Sequence, residues 1–216
     1  QFFVVLSDEN GNDVVDLEVK GEYTIKDGTK VIADDAFYEC TSLNTVVIPE
    51  SVKEIGDYAF EECIMLSGAM VIPDDVKKIG YWCFKSCSNI TSLSLPLALE
   101  SISARAFNDC RSLSGTLLLP SALRHIDHYA FSGCSELESV HIPEGVLEIR
   151  ERTFENCSSL KSILLPQSIT SIGNNAFSGC AELPVIDIPE GIKSIAGGTF
   201  ENCTSLASIT IPNSVM

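Results

Sequence analysis

The chain has 216 residues, of which 45% are hydrophobic and 20% charged, and its formal net charge is −16 at pH 7. This acidic excess argues against nucleic acids and anionic membranes as partners, because both are recognised through Lys and Arg. No apolar run approaches the roughly 20 residues that span a bilayer, so we expect no direct membrane insertion of this chain. Residues 1–6 lack a basic leader and a small-residue cleavage site, and no signal peptide is predicted.

The first segment lies outside the pattern that fills the rest of the chain. Residues 2–6 and 14–19 are β-rich apolar runs, and Asn10-Gly11 between them is a hairpin signal. We therefore predict an N-terminal β-hairpin cap over residues 1–22, which would cover the bare hydrophobic end of the repeats that follow. The alternative is that these residues are the tail of a preceding domain.

A repeat of 23 or 24 residues organises the remaining chain. Its most regular member is phenylalanine, at Phe37, Phe60, Phe84, Phe107, Phe131, Phe154, Phe177 and Phe200. A cysteine follows each Phe by three residues, and a Leu (once Ile90) follows each cysteine by three. A fixed period of this length predicts a solenoid whose units stack only on their neighbours. We assign residues 23–216 to about eight such units, in an array that we expect to be truncated because residues 211–216 stop mid-repeat.

Each unit contains a strand signal and a second segment of different periodicity. Leu43-x-x-Val46-x-Ile48 alternates with period two, which predicts a strand with one buried face, and Pro49 ends it because proline cannot donate to the ladder. Ile55-Gly56 through Ala59-Phe60 fits one or two helical turns on the opposite side. Stacked strands would form one parallel sheet of eight or nine strands, so the predicted class is an α/β repeat.

The two 24-residue spacings that contain Gly68 and Gly115 carry one extra residue before the strand. Glycine permits the backbone angles of a small bulge, so we expect the strand itself to stay in register.

Nine cysteines would suggest disulfides or zinc in another context. Here eight occupy one position of successive units, and Cys83 fills a slot that elsewhere holds Ala or Thr. We therefore interpret them as small buried apolar residues, with zinc or disulfide roles as the alternative.

The pattern Ile-Pro-x-x-Val-x-x-Ile-Gly-x-x-Ala-Phe-x-x-Cys-x-x-Leu, repeated over residues 23–215, resembles the BspA-like, or TpLRR, class of leucine-rich repeats. The resemblance implies a right-handed solenoid with a parallel β-sheet on the concave face and short helices or turns on the convex face. It also implies an extracellular or cell-surface protein of a host-associated bacterium or parasitic protist, associated with adhesion and co-aggregation. The class has no shared catalytic residues, and we expect neither enzymatic activity nor a cofactor.

The outward positions of the predicted sheet are the candidate ligand-binding residues. The central concave row is Val47, Val71, Ser94, Leu118, His141, Leu164, Asp187 and Thr210. The row beside it is richer in hydroxyl groups and comprises Thr45, Ala69, Ser92, Thr116, Ser139, Ser162, Val185 and Ser208. Exposed aliphatic side chains in a concavity can mark a protein-binding patch, whereas β-propensity on a solvated sheet is the simpler interpretation.

Acidic residues follow several prolines and would edge this face, at Glu50, Asp74, Glu144 and Glu190. They could meet a basic partner or a cation, but a solvated rim accounts for them as well. The histidines His125, His128 and His141 make no convincing metal site, and none is predicted.

The favoured function is a non-catalytic module that docks a protein, such as a host extracellular matrix protein or another cell-surface protein, on the concave sheet. A structural spacer or self-associating scaffold is one alternative. Carbohydrate binding ranks lower, because neither outward row contains the aromatic side chains that stack on sugars. Phosphate-binding loops and nucleophile elbows are missing from the sequence, which disfavours an enzyme.

Overall fold

The computed structural model describes residues 4–7, 13–16 and 20–216, with side chains from residue 20 onward. Within these ranges the chain is a solenoid of short parallel strands, about eight turns long, and contains no helix. No described segment forms an apolar helix of membrane-spanning length.

Most turns of the solenoid supply one strand to each of two faces. The longer strands form the first face: β3 (Gly21–Thr24), β5 (Leu43–Val47), β7 (Ser67–Val71), β9 (Asn89–Ser94), β11 (Gly115–Leu118), β13 (Leu137–His141) and β15 (Ser162–Leu164). Two-residue strands form the second face: β4 (Val31–Ile32), β6 (Glu54–Ile55), β8 (Lys78–Ile79), β10 (Ser101–Ile102), β12 (His125–Ile126), β14 (Glu148–Ile149), β16 (Ser171–Ile172) and β17 (Ser194–Ile195). A proline lies two residues beyond each longer strand from β5 to β15, as predicted, and begins the turn between the two faces.

The first face is not the continuous sheet that the sequence predicted. Its strands pair in parallel as β3–β5, β7–β9 and β11–β13–β15, and the ladder is interrupted before β7 and before β11. These two strands carry the inserted glycines, Gly68 and Gly115, both with positive φ. Each pairs with the strand after it through a one-residue register shift. The predicted bulge is therefore present, but the strand that carries the extra residue does not pair with the strand of the preceding unit.

The first face also loses its strands near the C-terminal end. Residues 185–188 and 206–211, where strands were predicted, have no strand hydrogen-bonding pattern. Pro184 stands where the preceding unit has Lys161, whose N–H bonds to the carbonyl of Glu138 at 2.8 Å. A proline has no N–H to repeat that bond, so the ladder ends at β15.

The second face is a sheet that was not predicted from the sequence. Its strands pair in parallel from β4 through β12, and again from β14 through β17, with isoleucine inward and the preceding residue outward. The antiparallel pair β1 (Val4–Ser7) and β2 (Asp13–Asp16) joins this sheet, because β1 also pairs antiparallel with β4. The Asn10-Gly11 turn lies outside the described residues, and the boundary of the cap at residue 22 remains a prediction.

The predicted helical turns are wrong, because the segment around each Phe alternates between right-handed and left-handed backbone. Every unit has two residues of positive φ, one two residues before the Phe and one two residues after it. The first column is Asp35, Tyr58, Trp82, Arg105, Tyr129, Arg152, Asn175 and Gly198; the second is Glu39, Glu62, Ser86, Asp109, Gly133, Asn156, Gly179 and Asn202. An α-helix requires φ near −63° throughout, so two left-handed residues four apart exclude it.

This turn segment instead bonds from unit to unit. The N–H groups of Tyr58, Phe60 and Glu62 donate to carbonyls of the next unit at 2.8 to 2.9 Å, and the other units repeat the pattern. Between them, the N–H of Glu61 bonds locally to the carbonyl of Tyr58 at 3.0 Å. The turn segment is thus a third hydrogen-bonded face, which satisfies the backbone without a helix.

Columns of identical side chains fill the core. All eight repeat phenylalanines stack in a continuous ladder, with ring centroids 4.8 to 5.9 Å apart and ring planes within 7° of parallel. Tyr23 closes the N-terminal end of the ladder by packing its edge against Phe37 at 5.6 Å. Each ring therefore contacts only adjacent units, as expected for a solenoid.

The cysteine column is buried and unbridged, which confirms the interpretation from the sequence: all nine thiols are free, and only Cys203 is partly exposed. The structure adds a hydrogen bond that the sequence did not suggest. From Cys63 to Cys203, each ladder thiol donates to the carbonyl oxygen of the Phe in the preceding unit, at 3.0 to 3.3 Å. A small apolar residue with a weak donor fits this position, because it fills the space and satisfies a buried carbonyl.

Candidate functional site

The predicted central row lies on the solvent side of the first face. All eight of its residues are exposed, from Val47 to Thr210. The aliphatic members expose more than half of their surface, with Leu118 at 65%. The neighbouring core residues Leu117 and Val140 are buried, so the alternation predicted from the sequence places the two sets on opposite sides of the strands.

Strand register shows which row residues are direct neighbours. Leu118 is opposite His141, and His141 is opposite Leu164. Val71 pairs with Ser94 in the separate β7–β9 ladder. Adjacent strands are about 4.8 Å apart, so these side chains form contiguous patches within each ladder.

The structure does not place the last two row residues on strands. Asp187 and Thr210 are exposed, but both lie in the segments without strand pairing. Together with Val185 and Ser208 of the adjacent row they line a shallow cavity of about 140 Å³. The adjacent row is otherwise as predicted, with Thr116, Ser139 and Ser162 in register across three strands.

Two row positions were missed in the sequence because the first half unit was not recognised as containing a strand. β3 pairs with β5 so that Thr24 lies opposite Val47 and Glu22 opposite Thr45. Gly21 could have indicated this strand, because it occupies the same repeat position as Gly68 and Gly115 and also has a positive φ. The outward rows thus extend one unit towards the N-terminus.

Charges are sparse on the strands of this face, and Lys161 at its margin is paired. Lys161 donates to Glu138 at 2.8 Å and lies 3.9 Å from Glu182. The hydrogen bond to Glu138 raises the pKa of the Lys161 ammonium. Apart from His141 and Asp187, the central row therefore presents aliphatic and hydroxyl groups rather than charges.

The acidic residues after the prolines have local bonding roles. Glu50 accepts a hydrogen bond from the backbone N–H of Asp74 at 3.3 Å. Glu144 accepts from the N–H groups of Gln167 and Ser168, both at 3.3 Å. These carboxylates hydrogen-bond to the backbone of the next solenoid turn, which favours the interpretation as a solvated rim over a cation site. Among residues 20–216 no three His, Cys, Asp or Glu side chains form a group that could hold a metal ion.

A larger cavity lies elsewhere, on the outer side of the second face. It measures about 820 Å³ and is lined by residues of β4, β6 and β8 together with Gly56 and Gly80. A Cβ atom on Gly80 would lie 2.4 Å from the carbonyl oxygen of Gly56, so the glycines allow the units to approach closely here. Its charged lining mixes lysines with aspartates and does not favour one sign of ligand.

This geometry defines a parallel-strand repeat solenoid of the leucine-rich type. The family described as BspA type leucine rich repeat region matches residues 21–124 and 115–216, with six copies, and the chain belongs to this family. The resemblance inferred from the sequence is thereby confirmed.

Solved structures agree with the family assignment. The T. pallidum leucine rich repeat protein (TpLRR) is 31% identical, with a TM-score of 0.76 over 85% of this chain and 88% of that one. A leucine-rich repeat protein from Bacteroides ovatus is 28% identical, with a TM-score of 0.71 over 99% of this chain and 64% of that one. A leucine-rich repeat protein from Eubacterium ventriosum shares the fold at 19% identity, with a TM-score of 0.70 over 90% of this chain and 62% of that one. A search among curated proteins returned no significant match.

Leucine-rich repeat proteins of this class generally act as scaffolds for protein interactions, and the fold is generally non-catalytic.

Proposed function

We propose that the chain is a non-catalytic protein-docking module that binds its ligand on the outward side of the first face. In this proposal it belongs to a cell-surface or secreted bacterial protein, and its ligand is a host or partner-cell protein, such as an extracellular matrix protein. The central row from Val47 to Thr210 is the contact surface.

The observation that carries the proposal is the exposed aliphatic patch around Leu118. Leu118 and Leu164 flank His141 on adjacent strands and expose 65% and 54% of their surface. Burying such side chains against a partner is favourable by about 25 cal/mol per Å² of apolar surface. The hydroxyl groups of Thr116, Ser139 and Ser162 lie beside the patch and could supply the polar rim that protein interfaces need.

The test is binding of the purified chain to a panel of immobilised host matrix proteins, with Leu118→Glu as the disrupting variant. A carboxylate at this position would have to be desolvated in the interface, so affinity should fall at least about tenfold. Leu147→Glu is the matched control, since Leu147 is also an exposed leucine, at 52%, but precedes β14 on the second face.

Saturable binding that Leu118→Glu abolishes and Leu147→Glu retains would support the proposal. Equal binding by both variants would move the contact surface away from the first face. No binding to any panel member by the folded protein would favour the structural spacer instead.

A further inference from the structure

The acidic excess of the chain is concentrated beside the first face. The segments that carry this face, each extended to the residue after its proline (after Lys26 in the first unit), hold eight acidic and two basic residues. The segments that carry the two-residue strands hold seven of each sign. The first set is residues 21–27, 44–50, 67–74, 91–97, 114–121, 138–144, 161–167, 184–190 and 207–213, and the second is residues 30–34, 53–57, 77–81, 100–104, 124–128, 147–151, 170–174 and 193–197. The first face therefore favours a basic partner over an acidic one.

Seven of the eight carboxylates beside the first face keep a charge that no cation neutralises. Glu138 is the exception, because Lys161 binds it at 2.8 Å. The other seven are exposed and have no ion pair within residues 20–216, and they are Glu22, Asp27, Glu50, Asp74, Glu144, Asp187 and Glu190. Backbone N–H groups donate to Glu50 and Glu144, which holds these side chains in place but does not remove their charge. A partner on this face therefore meets a margin of net negative charge.

One of these seven carboxylates lines a cavity in the central row itself. The cavity measures about 140 Å³, and Val185, Ser208 and Thr210 line it together with Asp187. The side chain of Asp187 has no hydrogen bond or ion pair within the part of the chain that the structure describes. A carboxylate and two hydroxyl groups can accept hydrogen bonds from the head group of a Lys or Arg, and Val185 offers apolar surface to its stem. We call this site the Asp187 cavity.

The Asp187 cavity continues the exposed aliphatic patch. Asp187 follows Leu164 in the central row, and Leu164 is separated from Leu118 only by His141. The patch is one side chain wide, because a row of hydroxyl groups lies beside it on the same strands. A broad interface between folded proteins buries about 800 Å² on each partner, whereas a narrow row suits a single segment of a partner chain.

We propose that the first face binds a basic protein segment, which places one Lys or Arg side chain in the Asp187 cavity and apolar side chains over Leu164 and Leu118. This inference rests on the proposed docking function and specifies the chemistry of the partner. An acidic segment would be repelled by the carboxylates beside the face. An uncharged segment would cover Asp187 without giving its carboxylate a partner, which is unfavourable because a buried charge needs one.

The test starts from a phage-displayed library of random peptides about twelve residues long. The library is first depleted on the immobilised Leu118→Glu variant and then selected on the unaltered chain. We expect the selected peptides to be enriched in Lys or Arg beside Leu, Ile or Phe, and depleted in Asp and Glu. The most enriched peptide is then synthesised. Its affinity should fall at least about fivefold between about 50 and 500 mM NaCl, because salt screens exposed charges.

Asp187→Asn is the deciding variant, because it keeps the size of the side chain and Asp187 has no bond within the described chain to lose. It should weaken binding of the synthetic peptide about tenfold, since a hydrogen bond between charged groups is lost. The midpoint of thermal unfolding should stay the same. Asp35→Asn is the matched control, because it removes the same charge from an exposed aspartate of the turn segment, and it should bind the peptide normally.

Three results would overturn the inference. The first is a selection that enriches no peptide, the second is a set of selected peptides without an excess of Lys and Arg, and the third is unchanged peptide binding by Asp187→Asn. In each case a matrix protein whose binding Leu118→Glu abolishes would leave the docking function standing. If Leu118→Glu binds the synthetic peptide as tightly as the unaltered chain does, the first face is not the contact surface and both proposals fail.

Discussion

The turn segment offers a test, because a left-handed turn and a helix predict opposite effects of a glycine substitution on stability. Ser86 has φ of 61°, and its side chain makes no hydrogen bond within the described chain. Replacing it with glycine removes a Cβ from a conformation that disfavours one. The substitution Ser86→Gly should therefore stabilise the protein, although glycine within regular structure normally destabilises it.

The expected magnitude follows from two opposing terms. An L-residue in the left-handed region costs about 1–2 kcal/mol, which glycine recovers. Glycine in turn loses about 0.5–1 kcal/mol more conformational entropy on folding. The net gain is between about 0 and 1.5 kcal/mol, and its midpoint of about 0.8 kcal/mol corresponds to a rise in the melting temperature of about 2 °C for a chain of this size. In a helix the same change would cost roughly 0.5 kcal/mol.

The assay is urea and thermal unfolding followed by circular dichroism, with Ser178→Gly as the matched control. Ser178 lies in the same turn of another unit, directly after its Phe, and does not have a positive φ. Glycine there relieves no left-handed backbone, and its entropic cost adds to the loss of a buried side chain, so stability should fall by at least about 0.5–1 kcal/mol. If Ser86→Gly destabilises the protein as much as Ser178→Gly does, the argument from backbone conformation is refuted.

Two further predictions concern the core. Burial raises the pKa of the ladder thiols, among them Cys63 and Cys134, above the ordinary value near 9. As the pH rises, the unfolded chain loses these protons before the folded chain does. Stability should therefore be constant below about pH 8.5 and fall above it by about 1.4 kcal/mol per pH unit for each thiol. Urea unfolding midpoints from pH 7 to 10 measure this, and midpoints that do not change with pH would contradict it. Phe131 stacks on two rings and Phe200 on one, so Phe131→Leu should lose about twice as much stacking energy as Phe200→Leu, roughly 1–3 against 0.5–1.5 kcal/mol. Equal losses of unfolding free energy in the two variants would show that ring stacking adds nothing to stability.

The sequence predicted the features of the fold that depend on the identity of the inward side chains. Period and alternation were enough to assign the Phe, Cys and Leu columns and the longer strands, since apolar residues at those spacings have no other way to be buried. They were not enough for the turn segment. Ala59, Phe60 and Cys63 have a helix-compatible spacing, and the left-handed conformation of Tyr58 and Glu62 leaves no sign in residue types that usually avoid it.

The predicted row residues lie in register where the strands pair regularly, and they depart from the predicted row where strand pairing is lost. Leu118, His141 and Leu164 lie in one row because their strands are in register. Asp187 departs from the pattern because Pro184 removes one ladder hydrogen bond, a consequence that could have been derived from the proline itself. The contacts of Trp82 with Tyr58 and Arg105 on the turn segments were not predicted, because the aromatic residues were compared only with the sheet positions.

The proposed docking surface follows from one property of the solenoid. The core columns and the unit-to-unit hydrogen bonds use the inward side chains and the backbone, so the outward positions of each unit can vary without changing the frame. Val71 and Leu118 on the first face, and Trp82 and Arg105 on the turn segments, are such outward positions in the same central units. Asn175 and Gly198 show that the turn column accepts inexpensive residues elsewhere in the chain. Six of the eight positions in this column hold residues other than Asn and Gly, so the hydrogen bonds from unit to unit must offset the cost of the left-handed conformation along most of the solenoid.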